Sequence, residues 1–374
     1  MKSKHLHIIS FNVPYPPDYG GVIDVFNKIK ALHAEGIKIH LHCFEYGRNE
    51  APELNAFCEH VYYYPRLPMW RGFFSRKPFL IASRKSNALR NRLLADEHPI
   101  LFEGLHACYL LDDPAFQNRI KLVRMHNNEP VYYKTLANRE NRMFKKTYFL
   151  TEASRLSRFE SVLSHAQHIL CISPYEADHY EIRFPQTTYI SAFHGHEAIH
   201  SKPGKGSFVL YHGNLSVNEN DEAVKFILKE IWKELNVPLV IAGSAPSEIL
   251  VRLIQEYPQV KLVQDPDHNT LEELIRNAHI HLLPAMQQTG IKLKLLNAIF
   301  NGRFCIANRN MIEHTGLEQY CLCFNHADEA KAAINAYMQQ EFTAEDVIFR
   351  QPVVDTFSDS ASAKKIISYL PEHP

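Results

Sequence analysis

Leu6-His-Ile-Ile-Ser-Phe11 runs through Asn12 into Pro14-Tyr-Pro-Pro-Asp-Tyr-Gly20-Gly21; Val22, Val25, Phe26, Ile29 and Leu32 then recur at helical spacing before a second apolar run at 37–44. An apolar run, a Gly/Pro turn, an amphipathic helix and another run is the pattern of a β-α-β unit in a parallel sheet. The alternation continues along the chain, with further strands expected at 60–64, 100–103, 120–125 and 168–172, and then at 208–211, 238–242, 260–263, 279–283 and 304–307. Leu156, Phe159, Leu163 and Ala166 repeat the helical spacing between them. The fold class is therefore α/β, in two successive blocks.

The chain has 374 residues, room for about two domains at roughly 150 residues each. Hydrophobic residues make up 45% and charged residues 22%, and 41 basic side chains balance 41 acidic ones, which excludes disorder, a collagen-like chain and a bulk nucleic-acid binder. The balance is uneven, at +6 over 1–190 and −6 over 191–374, as two domains with different partners would give. The domains expected are 1–190 and 191–352, joined near 190–206 where Ser201-Lys-Pro-Gly-Lys-Gly-Ser207 precedes a fresh strand. In the tail, 353–374, Ile366, Ile367 and Leu370 pattern as a helix able to pack back across the joint. Seven cysteines without paired metal-type spacing point to reduced thiols in a cytoplasmic setting. The first residues are too short and polar a run for a signal segment, and no stretch approaches a spanning helix.

Five segments bear on chemistry. Gly20-Gly21 brings a helix N-terminus, with its unpaired N–H groups, toward a turn that serves equally as a plain connection or an anion loop. Residues 66–92 hold eight basic side chains and no acidic one, with Trp70, Phe73, Phe74 and Phe79 between them, which fits an anionic headgroup or phosphorylated acceptor as well as a solvated basic face. His126 directly follows the strand at 120–125, where open α/β sheets bind ligands, although loop histidines also serve as local hydrogen-bonders. In the second half, Tyr211-His-Gly213-Asn214-Leu215 is a strand-to-helix turn, and Thr289-Gly290-Ile291-Lys292-Leu-Lys294 puts two lysines at a helix start, against the dipole, as an anionic ligand would require.

Asp265-Pro-Asp267 reads as a polar turn before a helix rather than a metal motif. Four His-x-His pairs (His5/His7, His40/His42, His194/His196, His279/His281) could each put two imidazoles on one strand face, but none has an obvious third ligand nearby in sequence, which leaves a structural metal there as an open reading that is not the favoured one.

Taken together, Gly20-Gly21, Met125-His126-Asn127, 152–160, 171–176, His212-Gly213-Asn214-Leu215, Ile241-Ala-Gly243 and 289–302 resemble the retaining glycosyltransferases of the GT-B fold, family four (glycosyl transferases group 1), over most of the chain. The resemblance implies two Rossmann-like domains with a cleft between them, a nucleotide-sugar donor held mainly by the C-terminal domain and a glycan or lipid-linked acceptor held mainly by the N-terminal one. It implies a donor-binding set of Gly21, Gly213, Asn214, Val263, Thr289, Gly290, Ile291, Lys292 and Asn297, with His126 and Lys294 in catalytic positions. Trp70, Arg71, Arg76 and Lys77 would form the acceptor or peripheral membrane face. Same-face transfer needs neither a protein nucleophile nor a metal cofactor. Thr289 and Asn297 stand where the family commonly carries two glutamates, which motivates the alternative of a catalytically silent homologue that binds a sugar nucleotide or a partner enzyme.

Overall fold

The computed structural model describes residues 4–68, 75, 77–287 and 293–371. They form two compact units, one running to Gly195 and resuming at Asp359, the other running from His196 to Ser358.

The first unit is built on a parallel sheet of β1 (His5–Ser10), β2 (Lys38–Glu45), β3 (His60–Pro65), β4 (Ile100–Glu103), β5 (Lys121–Met125), β6 (His168–Cys171) and β7 (Thr187–Tyr189). Their order is β3-β2-β1-β4-β5-β6-β7. The chain builds outward from β1 through β2 to β3, then crosses back to add β4 on the other side of β1, and this reversal opens a crevice at the carboxyl ends of β1 and β4. Helices cover both faces, so the central strands are buried throughout. Ile9, Phe102, Val123 and Met125 lie in one apolar layer, and Ile8, Leu101, Leu122 and Leu170 in the other.

The second unit repeats the plan with β8 (Val209–His212), β9 (Leu239–Gly243), β10 (Val260–Gln264), β11 (Ile280–Leu283), β12 (Phe304–Asn308) and β13 (Leu322–Phe324), in the order β10-β9-β8-β11-β12-β13. Its switch point lies between β8 and β11. β7 and β13, which are not among the apolar runs above, are three-residue edge strands, too short to display a period.

Helices that position the sites are α1 (Gly20–Ala34), α2 (Glu129–Arg139), α3 (Met143–Phe159), α4 (Asn218–Phe226), α5 (His268–Asn277), α6 (Leu293–Asn301) and α7 (Asp359–Ser368). The chain leaves the first unit after Gly195, beyond the boundary at 190 expected from the sequence, because 190–195 is tied into that unit. Ile190 and Ser191 carbonyls accept from Arg124, and the Phe193 N–H donates to Asp24. The tail rejoins at Asp359, whose carboxylate accepts from the His194 and Gly195 N–H groups. From there α7 lays Ala363 and Ile366 into the apolar layer that holds Ile29 and Leu32 of α1.

One close approach in the second unit admits only glycine. A Cβ at Gly243 would come 1.9 Å from the Gly213 carbonyl oxygen, so the ends of β8 and β9 meet only because that atom is missing.

Candidate active site

In the first unit, the carboxyl ends of β1, β4 and β5 converge on His126, which follows β5 directly. Its ring meets Phe11 edge-on at 5.5 Å, and a Cβ at Gly21 would come 2.8 Å from the same phenyl ring. The two first-unit candidates, Gly21 and His126, are thus brought together through Phe11.

Beneath His126 lies a fully buried network that sequence reading did not single out. His126 Nε2 lies 2.9 Å from Glu103 Oε2, and Lys28 Nζ donates to both Glu103 oxygens and to Asp24 Oδ2 at 2.8 Å. Arg124 donates to Asp24 Oδ1 at 3.0 Å and to the Ile190 and Ser191 carbonyls. Two carboxylates face two cations, and the side chains of Asp24, Lys28, Glu103 and Arg124 are all fully buried. Burial pushes both carboxyls upward, but Arg124 and Lys28 hold Asp24 well below the usual carboxylate range, and Lys28 with the His126 contact holds Glu103 below its ordinary value. Glu103 is therefore an ionised acceptor, which makes His126 Nε2 the donor. In the neutral ring that leaves the lone pair on Nδ1, which is buried, has no hydrogen-bond partner and lies 3.9 Å from Asp24 Oδ2. Asp24, Glu103 and His126 have metal-ligand chemistry and spacing, but the Lys28 ammonium already supplies the cation between the two acids.

A second buried group borders the first. His106 packs on the other side of Phe11, with ring centroids 5.5 Å apart, and its Nδ1 is also buried without a hydrogen bond. Gly104 separates it from His126: with φ +73° the position favours glycine, and a Cβ would lie 3.0 Å from His106 Nδ1. Burial pushes the Glu129 carboxyl up to about 8, with Arg84 pulling the other way, and Glu129 Oε1 lies 3.6 Å from His106 Nε2. Burial, then Arg84, lowers His106 well below its usual range, so burial disfavours the charged form of both groups.

In the second unit the turn after β8 and the first turn of α6 come together. A Cβ at Gly213 would lie 3.0 Å from Lys294 Nζ. That ammonium donates to Asn220 Oδ1 at 2.5 Å and to Tyr211 OH at 3.1 Å, and Asn220 Nδ2 in turn donates to the Asn214 carbonyl at 2.7 Å. Gly213, Asn214 and Lys294 thus form one cluster, aimed by Tyr211 and Asn220. Burial, then His281 and Lys294, lowers the adjacent His212 to about 3, so the positive charge in this cluster is that of Lys294.

Other candidates keep different company. Asn297, three residues beyond Lys294 on α6, lies with its Oδ1 2.5 Å from His196 Nε2. Val263 sits near the end of edge strand β10, paired in register with Ala242 and packed against the layer of Leu210 and Val240. Asp267 caps α5 through Thr270 N, and Asp265 accepts from Ala245 N, so both carboxylates serve turns. Lys77, expected on an acceptor or membrane face, donates to Asp112 and to the Tyr109 carbonyl, which commits its charge inside the unit. Thr289, Gly290, Ile291, Lys292, Trp70, Arg71 and Arg76 lie outside the described residues.

The residues missed had signals that are plain in retrospect. Glu103-Gly104 ends a strand as Met125-His126 does, and a charged Arg124 within a buried central strand demands a partner. Asp24 and Lys28, four apart on α1, read as a solvated pair until burial is known.

Comparison with known proteins agrees with this architecture. Residues 206–340 match the family model for glycosyl transferases group 1. The chain is 27% identical, over 97% of its length and 93% of the relative's, to an uncharacterized 44.6 kDa protein in the cps region of Klebsiella pneumoniae. Its fold is similar to that of a glycosyltransferase from Rickettsia africae ESF-5, with TM-score 0.65 and 11% identity over 99% of this chain and 98% of the other. It is also similar to Anabaena Alr3699/HepE, solved in complex with UDP and glucose, with TM-score 0.66 and 9% identity over 98% of each chain. The protein has the α/β fold of GT-B glycosyltransferases, and residues 206–340 of its second unit are similar to the glycosyl transferases of group 1.

Proposed function

We infer that this protein is a glycosyltransferase moving a hexose-like sugar from a nucleoside-diphosphate donor to a glycan or lipid-linked glycan, with retention, in surface polysaccharide synthesis. The observation that carries the reading is the Lys294 ammonium held beside Gly213 at the switch point of the second sheet, inside the matched domain. A fixed cation next to backbone too crowded for a side chain suits a diphosphate, and it stabilises the charge that develops as the diphosphate departs. The Anabaena neighbour's UDP supports a nucleotide donor, and the cps-region relative supports polysaccharide as the product.

In this reading the bond from the anomeric carbon to the diphosphate oxygen breaks, the acceptor oxygen bonds the same carbon from the same face, and the leaving diphosphate takes the acceptor proton. Lys294 supplies charge that a metal ion would otherwise provide, while Asp265 and Asp267 are already committed to a turn and a cap. His126, oriented by Glu103, contributes positioning through Nδ1.

The test is a panel of nucleoside-diphosphate sugars, with and without chelator, read by thermal shift and by transfer to oligosaccharide acceptors. One donor should raise the melting temperature without metal and give a product of retained configuration. His126→Ala should lower transfer more than donor binding. The silent-homologue reading is favoured by Asn297, which offers an amide engaged with His196 in place of a carboxylate. A donor that binds without turnover across the acceptor panel would establish that reading, and no shift with any donor would overturn the transferase reading and leave the silent homologue as a partner-binding protein.

The membrane part of the proposal rests better on α2 and α3 than on 66–92. Phe144 is 94% exposed and Met143 75%, beside exposed Val131 and Leu150, and Lys134, Arg139, Arg142 and Lys145 are exposed around them. Apolar tips ringed by cations suit an anionic bilayer surface. Phe144→Asp combined with Lys145→Glu should abolish sedimentation with phosphatidylglycerol vesicles; unchanged sedimentation would remove membrane contact from the proposal.

A further inference from the structure

The His-x-His pairs at His5/His7 and His40/His42 play no part in the site above, yet the sheet brings them together. β1 and β2 pair in parallel with His7 opposite His40 and Ile9 opposite His42, and β3 continues with His60 opposite His40. With a period of two, all these imidazoles project from one face near the amino ends of the strands. β4 pairs with His7 at Ile100, so His98, just before β4, arrives at the same place. A third imidazole, absent from the local sequence of either pair, is thereby supplied by strand order from 58 residues beyond His40 and 93 beyond His5.

The outer three rings form a compact group. His5 Nδ1 and His40 Nε2 are 2.9 Å apart, and a nitrogen of His98 lies within 4.8 Å of ligand atoms on both. The rings stack, with centroids 4.5 Å apart for His5 and His98 and 5.2 Å for His5 and His40. All three are partly exposed, so they can turn about their side-chain bonds and aim their lone pairs at one point. Two imidazoles on a tetrahedral zinc ion place their nitrogens about 3.3 Å apart, close to the spacing already present.

We propose that His5, His40 and His98 form a binding site for a borderline divalent transition-metal ion of the zinc class, tying β1, β2 and the segment before β4 together. The site lies at the opposite end of the sheet from His126, since β1 alone puts about 20 Å between His5 and Phe11.

Two further features support it. The surroundings of the group are held in place, because Asp96 Oδ1 accepts from the His98 backbone N–H and lies 3.0 Å from His7 Nε2, while His7 Nδ1 meets His42 Nε2 at 2.9 Å and His42 Nδ1 meets Tyr64 OH at 2.9 Å. The ligand type selects the metal, since three imidazoles suit zinc, nickel or copper and offer no oxygen for calcium or magnesium.

The experiment uses the full chain stripped with chelator and titrated with Zn2+ and Co2+, following melting temperature, calorimetric stoichiometry and the visible spectrum of bound cobalt. One ion per chain should bind, raise the melting temperature and give cobalt d–d bands of imidazole ligation. His5→Ala and His98→Ala should each weaken Zn2+ binding by about tenfold or more while leaving the metal-free circular dichroism and donor binding unchanged. His33→Ala, at an exposed histidine on α1, should have no effect. No stoichiometric binding, or binding that survives in the His5→Ala/His98→Ala double variant, would overturn the proposal.

Discussion

Asp24→Ala is expected to destabilise the first unit by about 3–5 kcal/mol, measured by urea unfolding, because it removes the centre of a buried charge network. The carboxylate takes bonds from Lys28, Arg124 and the Phe193 N–H, none of which can reach water in the folded unit. Its loss strands the Arg124 guanidinium with only carbonyl partners and frees the 190–193 segment that closes the unit. The deficit should shrink when Arg124 is replaced by leucine in the same chain, since removing both charges costs less than orphaning one. Asp24 is held well below its unfolded value of 3.8, so its contribution is complete above about pH 4 and is lost as pH falls further. A single variant within 1 kcal/mol of wild type would mean that the network is not coupled to folding.

Lys294→Met should cut affinity for the nucleoside-diphosphate donor by about 10- to 100-fold, the range for a hydrogen bond to a charged group. The apolar stem is kept and the ammonium lost, while Tyr211 and Asn220 remain to pair with each other at 3.2 Å. Stability should change little, because Lys294 is only partly buried, so a loss of binding reads directly on the diphosphate contact. Turnover should fall by a larger factor than affinity, because charge on the leaving group grows in the transition state. Equal donor affinity in wild type and variant would take Lys294 out of the site.

The contrast between the two halves shows what periodicity can reveal. Eleven of the thirteen strands among the described residues are legible because buried parallel strands are continuous apolar runs separated by turn residues, and the helix starts at Gly20 and Asp267 follow from local backbone chemistry. Gly213 and Lys294 were legible one at a time, each from its own turn, although 81 residues separate them. Of the basic run at 66–92, Arg66, Lys77, Arg84 and Arg90 are each bonded within the unit, partners that charge counts in sequence cannot show.

By itself, then, the sequence determined the alternation of strand and helix, the two α/β blocks and the strand-end positions of His126 and Gly213. These depend on interactions between residues a few positions apart. Strand order and register decided the rest. They set Glu103 against His126, closed Asp24 on Arg124 across a hundred residues, and gathered His5, His40 and His98 from three separate strands or strand starts. Such pairings depend on which strands become neighbours, a choice made by burial of whole faces and invisible to any local spacing rule.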